Sequence, residues 1–190
     1  MTGKHHNQRC PECKRIVRDM LAVLFGKVET NFDLKMPCKL EDYENTDIYG
    51  DLQSIYEALK NHRGFDNFVR ASKLPRVDYY VPSHNLIIEF DESQHFTKPR
   101  DIALSLYSKA SDLGFSVEKW RMLCQKLDEH DNDPAFRDEQ RAWYDTLRDF
   151  APKFLKKGQI TRAYSNELIW CSLNPQNKSD QNTFKQILNI

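Results

Sequence analysis

The sequence predicts a mixed α/β fold in which one β-sheet is flanked by α-helices. Apolar residues recur at a helical period near the start of the chain and between residues 116 and 150, whereas residues 76–91 alternate in the manner of a β-hairpin. The predicted order is a helix, a strand, a short helix, the hairpin, three helices, two strands and a last helix. This order favours a mixed sheet with helices packed on it.

Size and composition narrow the class of protein. The chain has 190 residues, 39% of them hydrophobic, which is enough for a single domain over residues 1–190 with its own core. The longest apolar run, Met20 to Phe25, is too short to span a membrane or to form the apolar part of a signal peptide. Five cysteines, an odd number, argue against a disulfide framework and fit a reducing compartment. We therefore expect a cytoplasmic protein without a membrane segment.

The charge pattern leaves two interpretations open. The chain has 28 Lys and Arg against 28 Asp and Glu, so its net charge gives no direct argument for nucleic acid. Residues 1–40 and 150–190 are nevertheless basic, and residues 41–66 and 128–149 are acidic. The basic ends could form a positive groove for nucleic acid, or they could be solvated faces.

The spacing of apolar residues and the positions of glycines predict the secondary structure of the first half of the chain. A helix is expected over residues 11–25, ending at Gly26, because glycine commonly follows the last residue of a helix. A strand is expected over residues 27–34. Residues 34–75 are interpreted as an insertion that contains a short helix ending near Gly64. The apolar face of that helix is formed by Leu52, Ile55, Tyr56 and Leu59.

The secondary structure of the second half is predicted mainly from residues that typically begin a helix. Helices are expected over residues 100–110 and 116–128, and Ser116 is expected to cap the second. Asp133 and Pro134 predict the start of another helix, as an N-cap followed by proline at the first helical position. The remaining predicted elements are the rest of that helix up to residue 150, strands over 159–164 and 167–172, and a last helix around Phe184.

The hairpin is the most informative segment. Folded about the turn at residues 82–85, it brings Asp78 opposite Glu89. Alternation then sends apolar residues to one face, namely Val77, Tyr79, Val81, Leu86, Ile88 and Phe90. The other face receives Asp78, Tyr80, Ile87, Glu89 and Asp91. Like charges that oppose each other on paired strands are destabilising, so we expect a cation between the two carboxylates.

Clustered carboxylates of this kind are ligands for a hard cation. They suit Mg²⁺ or Mn²⁺ and not zinc, with Asp78 and Glu89 as the expected ligands and Asp91 as a third. Mg²⁺ held by one or two carboxylates also takes phosphate oxygens, and it can activate water for in-line attack on phosphorus. The site therefore predicts phosphodiester hydrolysis, with nucleic acid as substrate. A solvated strand face that carries acids is the alternative.

The hairpin also resembles a known family. Val-Asp-Tyr-Tyr-Val-Pro followed by Leu-Ile-Ile-Glu-Phe-Asp-Glu-Ser-Gln-His is similar to the core of the PD-(D/E)XK nucleases, the restriction-endonuclease-like superfamily, and is nearest the very-short-patch-repair-type endonucleases. The close match covers residues 76–95. The resemblance implies a restriction-endonuclease-like mixed β-sheet flanked by α-helices, and it implies Asp78 and Glu89 as the two acids and His95 as the following histidine. Glu12 is the candidate for a glutamate that the family often has on an earlier helix.

Position 91 departs from the family pattern. The superfamily's lysine would stand there, and this chain has Asp91. Asp91 could be a third metal ligand or could pair with Arg76, its expected cross-strand neighbour. The lysine's role in holding the attacking water could pass to Gln94, His95 or Lys98, and His95 could also act as a general acid or base. Alternatively, the chain is a degenerate nuclease that binds nucleic acid without cleaving it.

Phosphate contacts are expected from basic residues around the hairpin. Lys98 and Arg100 follow it, Arg76 precedes it, and Arg141 lies on the polar face of a predicted helix. A solvated helix face is the alternative for Arg141. Glu92 is expected to point away from the site, toward the core or the loop.

A zinc site is a further candidate. Residues 10–13, Cys-Pro-Glu-Cys, match half of a zinc knuckle, but a structural zinc ion needs four ligands. His5 or His6 with Cys38 would have to complete the set. Because Cys13 also lies on the apolar stripe of the first helix, thiols buried at a helix start are the alternative.

The sequence thus predicts a Mg²⁺- or Mn²⁺-dependent endonuclease that hydrolyses DNA, in restriction or another host-defence role. A small nuclease needs a second active site to cut both strands of a duplex. Homodimerisation would supply that second site.

Overall fold

A four-stranded mixed sheet forms the framework of the chain, which is described by a computed structural model over residues 10–108 and 113–190. The strands are β1 (Glu29–Phe32), β2 (Val77–Val81), β3 (Leu86–Asp91) and β4 (Gln159–Tyr164). Their order in the sheet is β1-β2-β3-β4. β2 pairs antiparallel with β1 and β3, whereas β4 pairs parallel with β3. The sheet is therefore mixed, as the sequence predicts.

Six helices surround this sheet within the described residues. They are α1 (Pro11–Phe25), α2 (Tyr49–Arg63), α3 (Lys98–Ser105), α4 (Val117–Leu127), α5 (Arg137–Leu155) and α6 (Lys178–Leu188). Helices α3, α4 and α5 lie between β3 and β4 in the chain. Parallel strands need a crossover connection of this kind, so the three helices make the β3–β4 pairing possible.

The predicted helix ends are confirmed where a local signal is strong. Gly26 follows α1 with φ of 84°, and Gly64 follows α2 with φ of 74°, a left-handed region that glycine adopts readily. At the start of α4, the Ser116 side chain accepts a hydrogen bond from the Lys119 N–H at 3.2 Å. Capping and glycine signals therefore place these boundaries to within a residue or two.

Hydrophobic side chains pack on both faces of the sheet. One face is covered by α1 and α6, with Met20, Ile88, Trp170 and Phe184 among its buried residues. The other face is covered by α2 and α5, whose buried residues include Leu52, Ile55, Trp143 and Leu147. Residues 34–75, which the sequence suggests as an insertion, thus contribute a helix to the same core as α5.

The predicted apolar face of the hairpin is nearly complete. Tyr79, Val81, Leu86, Ile88 and Phe90 pack together against α1 and α6. Val77, the sixth residue predicted for this face, is an exception, because it packs in the core on the α2 and α5 side. Helices cover part of the opposite face, where Glu89 and Asp91 are both buried.

One predicted strand is wrong, and one predicted helix start is displaced. Residues 167–172 form no strand. The chain turns after β4 into a 3₁₀ turn at Trp170–Ser172, and the Trp170 indole N–H donates to the Tyr164 carbonyl at 3.0 Å. Asp133 and Pro134 do not begin a helix. They precede a turn in which the Arg137 N–H donates to the Pro134 carbonyl at 2.8 Å, and α5 begins only at Arg137.

The helix predicted over 100–110 is shifted. α3 begins at Lys98, because Thr97 caps it by accepting a hydrogen bond from the Arg100 N–H at 3.3 Å, and it ends at Ser105. Residues 109 and 110 lie outside the described residues. Within the described ranges, no helix has the length and apolar character that crossing a membrane would require.

The position of α2 in the core gives a first prediction. Replacing Ile55, which is fully buried, with alanine should lower the free energy of unfolding by about 2–5 kcal/mol, because the lost side chain leaves a cavity. Urea unfolding followed by circular dichroism measures the change. Gln53→Ala, at an exposed position of the same helix, is the matched control and should stay within about 0.5 kcal/mol of the parent. Equal effects of the two substitutions would contradict the packing of α2 in the core.

Candidate active site

The two predicted acids lie side by side on neighbouring strands. Tyr79 pairs with Ile88 and Tyr80 with Ile87, which confirms the predicted register and sets Asp78 opposite Glu89. The Asp78 N–H donates to Glu89 Oε1 at 3.1 Å, and the Phe90 N–H donates to Asp78 Oδ2 at 2.9 Å. Each carboxylate is thus held by the backbone of the strand that carries the other.

A lysine that the sequence reasoning missed reaches this pair. Lys14 is on α1, and its Nζ lies 3.1 Å from Asp78 Oδ1 and 3.7 Å from Glu92 Oε1. The Tyr79 hydroxyl donates to the Lys14 carbonyl at 2.9 Å, which ties α1 to β2 at this point. Glu12, the acid expected from α1, is exposed and lies 3.8 Å from Arg15 instead. The only signal for it in the sequence was the position of Lys14 at the edge of the apolar stripe of α1, three residues before Val17.

Glu92 also belongs to this group, which corrects the expectation that it points away. It is 8% exposed, and Gln94 Nε2 donates to its Oε2 at 3.2 Å. Its Oε1 is buried and accepts no hydrogen bond from the described residues. The Lys14 ammonium, 3.7 Å away, is the cation nearest to that oxygen among the ion pairs of the described chain.

Glu89 is a buried acid with a raised pKa. Burial raises its pKa to about 7, the nearby Arg148 guanidinium opposes the rise, and repulsion from Asp78 adds to it. Arg148 Nε lies 3.6 Å from Glu89 Oε2 but makes no hydrogen bond within the described part of the protein. The carboxylate of Glu89 is therefore held in a site where its negative charge is poorly compensated.

Asp91 has protein partners on both carboxylate oxygens. Arg162 Nη1 on β4 donates to Oδ1 at 2.7 Å and to Oδ2 at 3.0 Å, and the Trp120 indole N–H donates to Oδ2 at 2.7 Å. The expected pairing of Asp91 with Arg76 is wrong, because β4 lies beside β3 and brings Arg162 there instead, while Arg76 is exposed. With 1% of its surface exposed, Asp91 does not share the open site of Asp78.

His95 is held by a second buried acid. Its Nδ1 lies 2.8 Å from Asp145 Oδ2 on α5 and 3.8 Å from Asp91 Oδ1. Burial by itself would lower the pKa of His95, but the Asp145 and Asp91 carboxylates outweigh it and raise the pKa above its usual value. Asp145 Oδ1 in turn accepts from Arg148 Nη1 at 2.9 Å, so that a chain of charges joins His95 to Glu89.

The residues expected to contact phosphate lie in different environments. Arg100 is buried, and its Nη2 donates to Asp149 at 2.6 Å, so the expectation that it meets phosphate is wrong. Arg141 is mostly buried and donates to the Gln94 carbonyl and to Asp131, both at 2.9 Å. Lys98 and Arg76 are exposed.

A basic cleft opens beside Asp78. It has a volume of about 310 Å³, and its lining includes Lys14, Arg15 and Arg18 from α1. Arg15 and Arg18 both contact Asp19, at 3.1 Å and 2.6 Å. The cleft therefore places cations next to an acid, on the side of the hairpin where Lys14 enters.

Cys38 does not join Cys10 and Cys13 in the zinc site that the sequence suggests. Cys38 is fully buried in the core on the α2 and α5 side, whereas Cys10 and Cys13 belong to the α1 and α6 side. His5 and His6 lie outside the described residues. The third sulfur near Cys10 and Cys13 is that of Cys171, within 4.8 Å of both.

Comparisons of the chain with protein-family models, with curated proteins and with solved structures gave no match. The interpretation of the site therefore depends on the chemistry of its residues.

The raised pKa of Glu89 gives a second prediction. Between its usual pKa of 4.5 and its folded pKa of about 7, the folded protein holds a proton that the unfolded chain has released. The free energy of unfolding should therefore fall as the pH rises through this window. Glu89→Gln should remove that fall and stabilise the metal-free protein at pH 8 by about 3 kcal/mol at most, with little effect at pH 5.

Urea unfolding at pH 5 and pH 8 in the presence of a chelator measures this effect. Glu57→Gln, at an exposed position of α2, is the control and should keep the parent's pH dependence. An unchanged pH dependence in Glu89→Gln would contradict the raised pKa.

The contact between His95 and Asp145 gives a third prediction. Asp145→Asn should lower the pKa of His95, because the carboxylate that favours the imidazolium is lost. A histidine with a raised pKa contributes stability that is fully present below its unfolded pKa and is lost as the pH rises through its folded pKa. The NMR titration of the imidazole protons measures the shift. Asp47→Asn, an exposed control, should leave it unchanged, and the same result for Asp145→Asn would contradict the ion pair.

Proposed function

We propose that this chain is a Mg²⁺- or Mn²⁺-dependent endonuclease that hydrolyses DNA, with a restriction-endonuclease-like fold. The observation that carries the proposal is the juxtaposition of Asp78, Glu89 and Lys14, two acids on paired strands with an ammonium 3.1 Å from the first. The PD-(D/E)XK pattern combines two acids and a lysine. Lys14 would replace, from α1, the lysine that position 91 lacks.

The donor set fits a hard divalent cation. The Asp78 side chain is 24% exposed, Glu89 is a buried carboxylate with a raised pKa, and Glu92 has a buried oxygen without a hydrogen-bond donor in the described chain. Among the described residues, three carboxylates do not come within 4.8 Å of one another. Mg²⁺ typically takes one or two carboxylates and fills its other positions with water and phosphate oxygens, so Asp78 and Glu89 suffice. When bound, such an ion supplies activation of water and stabilisation of the leaving oxygen.

Lys14 and His95 are assigned the roles around the scissile phosphate. The Asp78 and Glu92 carboxylates outweigh the burial of Lys14 and raise its pKa, so it remains an ammonium. Lys14 would hold the attacking water and counter the negative charge that develops on the phosphate oxygens. Attack by the water oxygen forms a new bond to phosphorus and releases a proton to solvent, while the bond between phosphorus and the leaving oxygen breaks and that oxygen takes a proton. His95, partly exposed and held by Asp145, is the candidate donor of that proton.

The basic cleft beside Asp78 is proposed to hold the DNA backbone. Lys14, Arg15 and Arg18 line it, and Lys98 and Arg76 add exposed positive charge elsewhere on the chain. The partner is DNA, and a homodimer would bring two sites to the two strands of a duplex. We propose a restriction or other host-defence role in the cytoplasm.

A second candidate function is nucleic-acid binding without cleavage. It is favoured by one observation, namely that protein cations already lie next to the opposed acids. Lys14 contacts Asp78, and Arg148 lies 3.6 Å from Glu89. The repulsion that suggests a metal ion is thus partly relieved by the protein itself.

A cleavage assay gives the fourth prediction. Plasmid incubated with the purified chain and Mg²⁺ or Mn²⁺ should be nicked or linearised, and chelation should abolish this. Asp78→Asn, Glu89→Gln and Lys14→Met should each lower the rate by on the order of 100-fold or more, because each removes a ligand or the water-holding cation. Glu57→Gln, exposed on α2, is the control and should keep the parent's rate.

The substrates should include methylated, unmethylated, mismatched and single-stranded DNA. Metal-independent cleavage, or cleavage that survives both acid substitutions, would contradict the proposed site. Binding to DNA without cleavage of any of the four would favour the second candidate function.

A further inference from the structure

We infer that Cys10, Cys13 and Cys171 form a binding site for a thiophilic divalent cation, Zn²⁺ in the first place. The three sulfurs lie within 4.8 Å of one another. Among residues 10–108 and 113–190, no other group of three potential ligands, acids and histidines included, comes so close together. This inference does not depend on the nuclease proposal, since it concerns a different part of the fold and a different class of metal ion.

The geometry suits a tetrahedral ion. Zn–S bonds of about 2.3 Å place the sulfurs of a tetrahedral site roughly 3.8 Å apart. Once the bond between the Cys10 and Cys13 sulfurs is reduced, these two have to separate to about that distance, and Cys171, within 4.8 Å of both, has to move only a little closer. Three protein sulfurs leave the fourth position to water or to a further side chain. His5 and His6, close to Cys10 in the sequence, lie outside the described residues.

The fold prepares two of the sulfurs for this role. Cys10 is the N-cap of α1, Pro11 follows at the first helical position, and the Cys13 N–H donates to Cys10 Sγ at 3.2 Å. The positive end of a helix dipole and an N–H donor both favour the thiolate form, which is the form that binds metal.

The third sulfur comes from the other end of the chain. Cys171 lies in the 3₁₀ turn Trp170–Ser172, which packs against α1. Trp170 anchors that turn in the core, where its ring lies edge-on to Phe90 and Phe184. The sulfur of Cys171 thus projects from a turn whose position is fixed by a fully buried tryptophan.

Cys10 and Cys13 are joined by a disulfide in the structure, which the odd number of cysteines did not lead us to expect. The same sulfurs therefore have two alternative uses. A phosphine reductant converts that disulfide to two thiols: the phosphine gives up two electrons and becomes a phosphine oxide, and one water molecule supplies its oxygen and the two thiol protons. Zn²⁺ binding then releases the thiol protons to solvent. A disulfide uses only two sulfurs, and the approach of Cys171 to both is the observation that favours a metal ion.

A metal ion here would fix α1 against the turn after β4. Lys14 follows Cys13 directly and reaches Asp78 at 3.1 Å. If the proposed nuclease function is correct, the ion would therefore also hold the lysine that acts in the active site.

The test uses the full chain, expressed without a tag and purified under a phosphine reductant. We expect about one zinc ion per chain by elemental mass spectrometry. Co²⁺ added to metal-free protein should give a thiolate-to-cobalt charge-transfer band, and Zn²⁺ should displace it. Cys171→Ser should weaken Co²⁺ binding by on the order of 100-fold or more, as loss of a ligand requires. Cys124→Ala, a thiol buried in a different cluster, is the control and should bind as the parent does.

Three results would overturn the inference. They are an absence of zinc and of the charge-transfer band in the reduced parent, a Cys171→Ser variant that binds Co²⁺ like the parent, and a Cys10–Cys13 disulfide in protein whose thiols are trapped at lysis. The first and third results are obtained with the parent protein alone. If Cys171→Ser does not fold, Cys10→Ser takes its place in the Co²⁺ measurement. Because the measurement is metal binding, zinc in a protein that does not cleave DNA would contradict only the nuclease proposal.

Discussion

The arrangement of the site depends on one buried guanidinium, that of Arg162. It is fully buried on β4, and it donates to Asp91 on β3, to Asp149 on α5 and to the Asp145 carbonyl at distances of 2.7–3.2 Å. Burial alone would lower the pKa of Arg162, but the Asp149, Asp91 and Asp145 carboxylates outweigh it and raise that pKa well above its usual value. A buried cation without its acids would be strongly destabilising, so strand, helix and side chains have to meet at this point.

The spacing of charged residues along α5 determines where the charges of the site lie. Asp145, Arg148 and Asp149 stand three and four residues apart, so they share one face of the helix, the face turned to β3 and β4. Arg148 reaches toward Glu89, and Asp145 holds His95. The pKa of Asp145 lies well below its usual range, since His95 and Arg162 outweigh the effect of burial. The imidazole and the acid pair therefore lie at two ends of a single charged network.

Local patterns predict more of this fold than of its site. Helix ends at Gly26 and Gly64 and the pairing of Asp78 with Glu89 follow from neighbours in the sequence, and all are observed. Lys14 and Arg162 lie 64 and 71 residues from the acids they contact, and no local pattern links such positions. For the same reason the sequence does not predict the burial of Arg100, because its contact with Asp149 depends on where α5 packs.

The parallel pairing of β3 with β4 has a consequence for how the site is assembled. The β2–β3 hairpin is a local structure that can form early, and it already contains Asp78 and Glu89. The Arg162 contact to Asp91 has to wait for 71 further residues, and contacts of such sequence separation form slowly. Newly made chains should therefore pass through a stage in which the acid pair exists without its buried countercharges. The order in which the chain is made and folds therefore determines when the acids acquire their final charge environment.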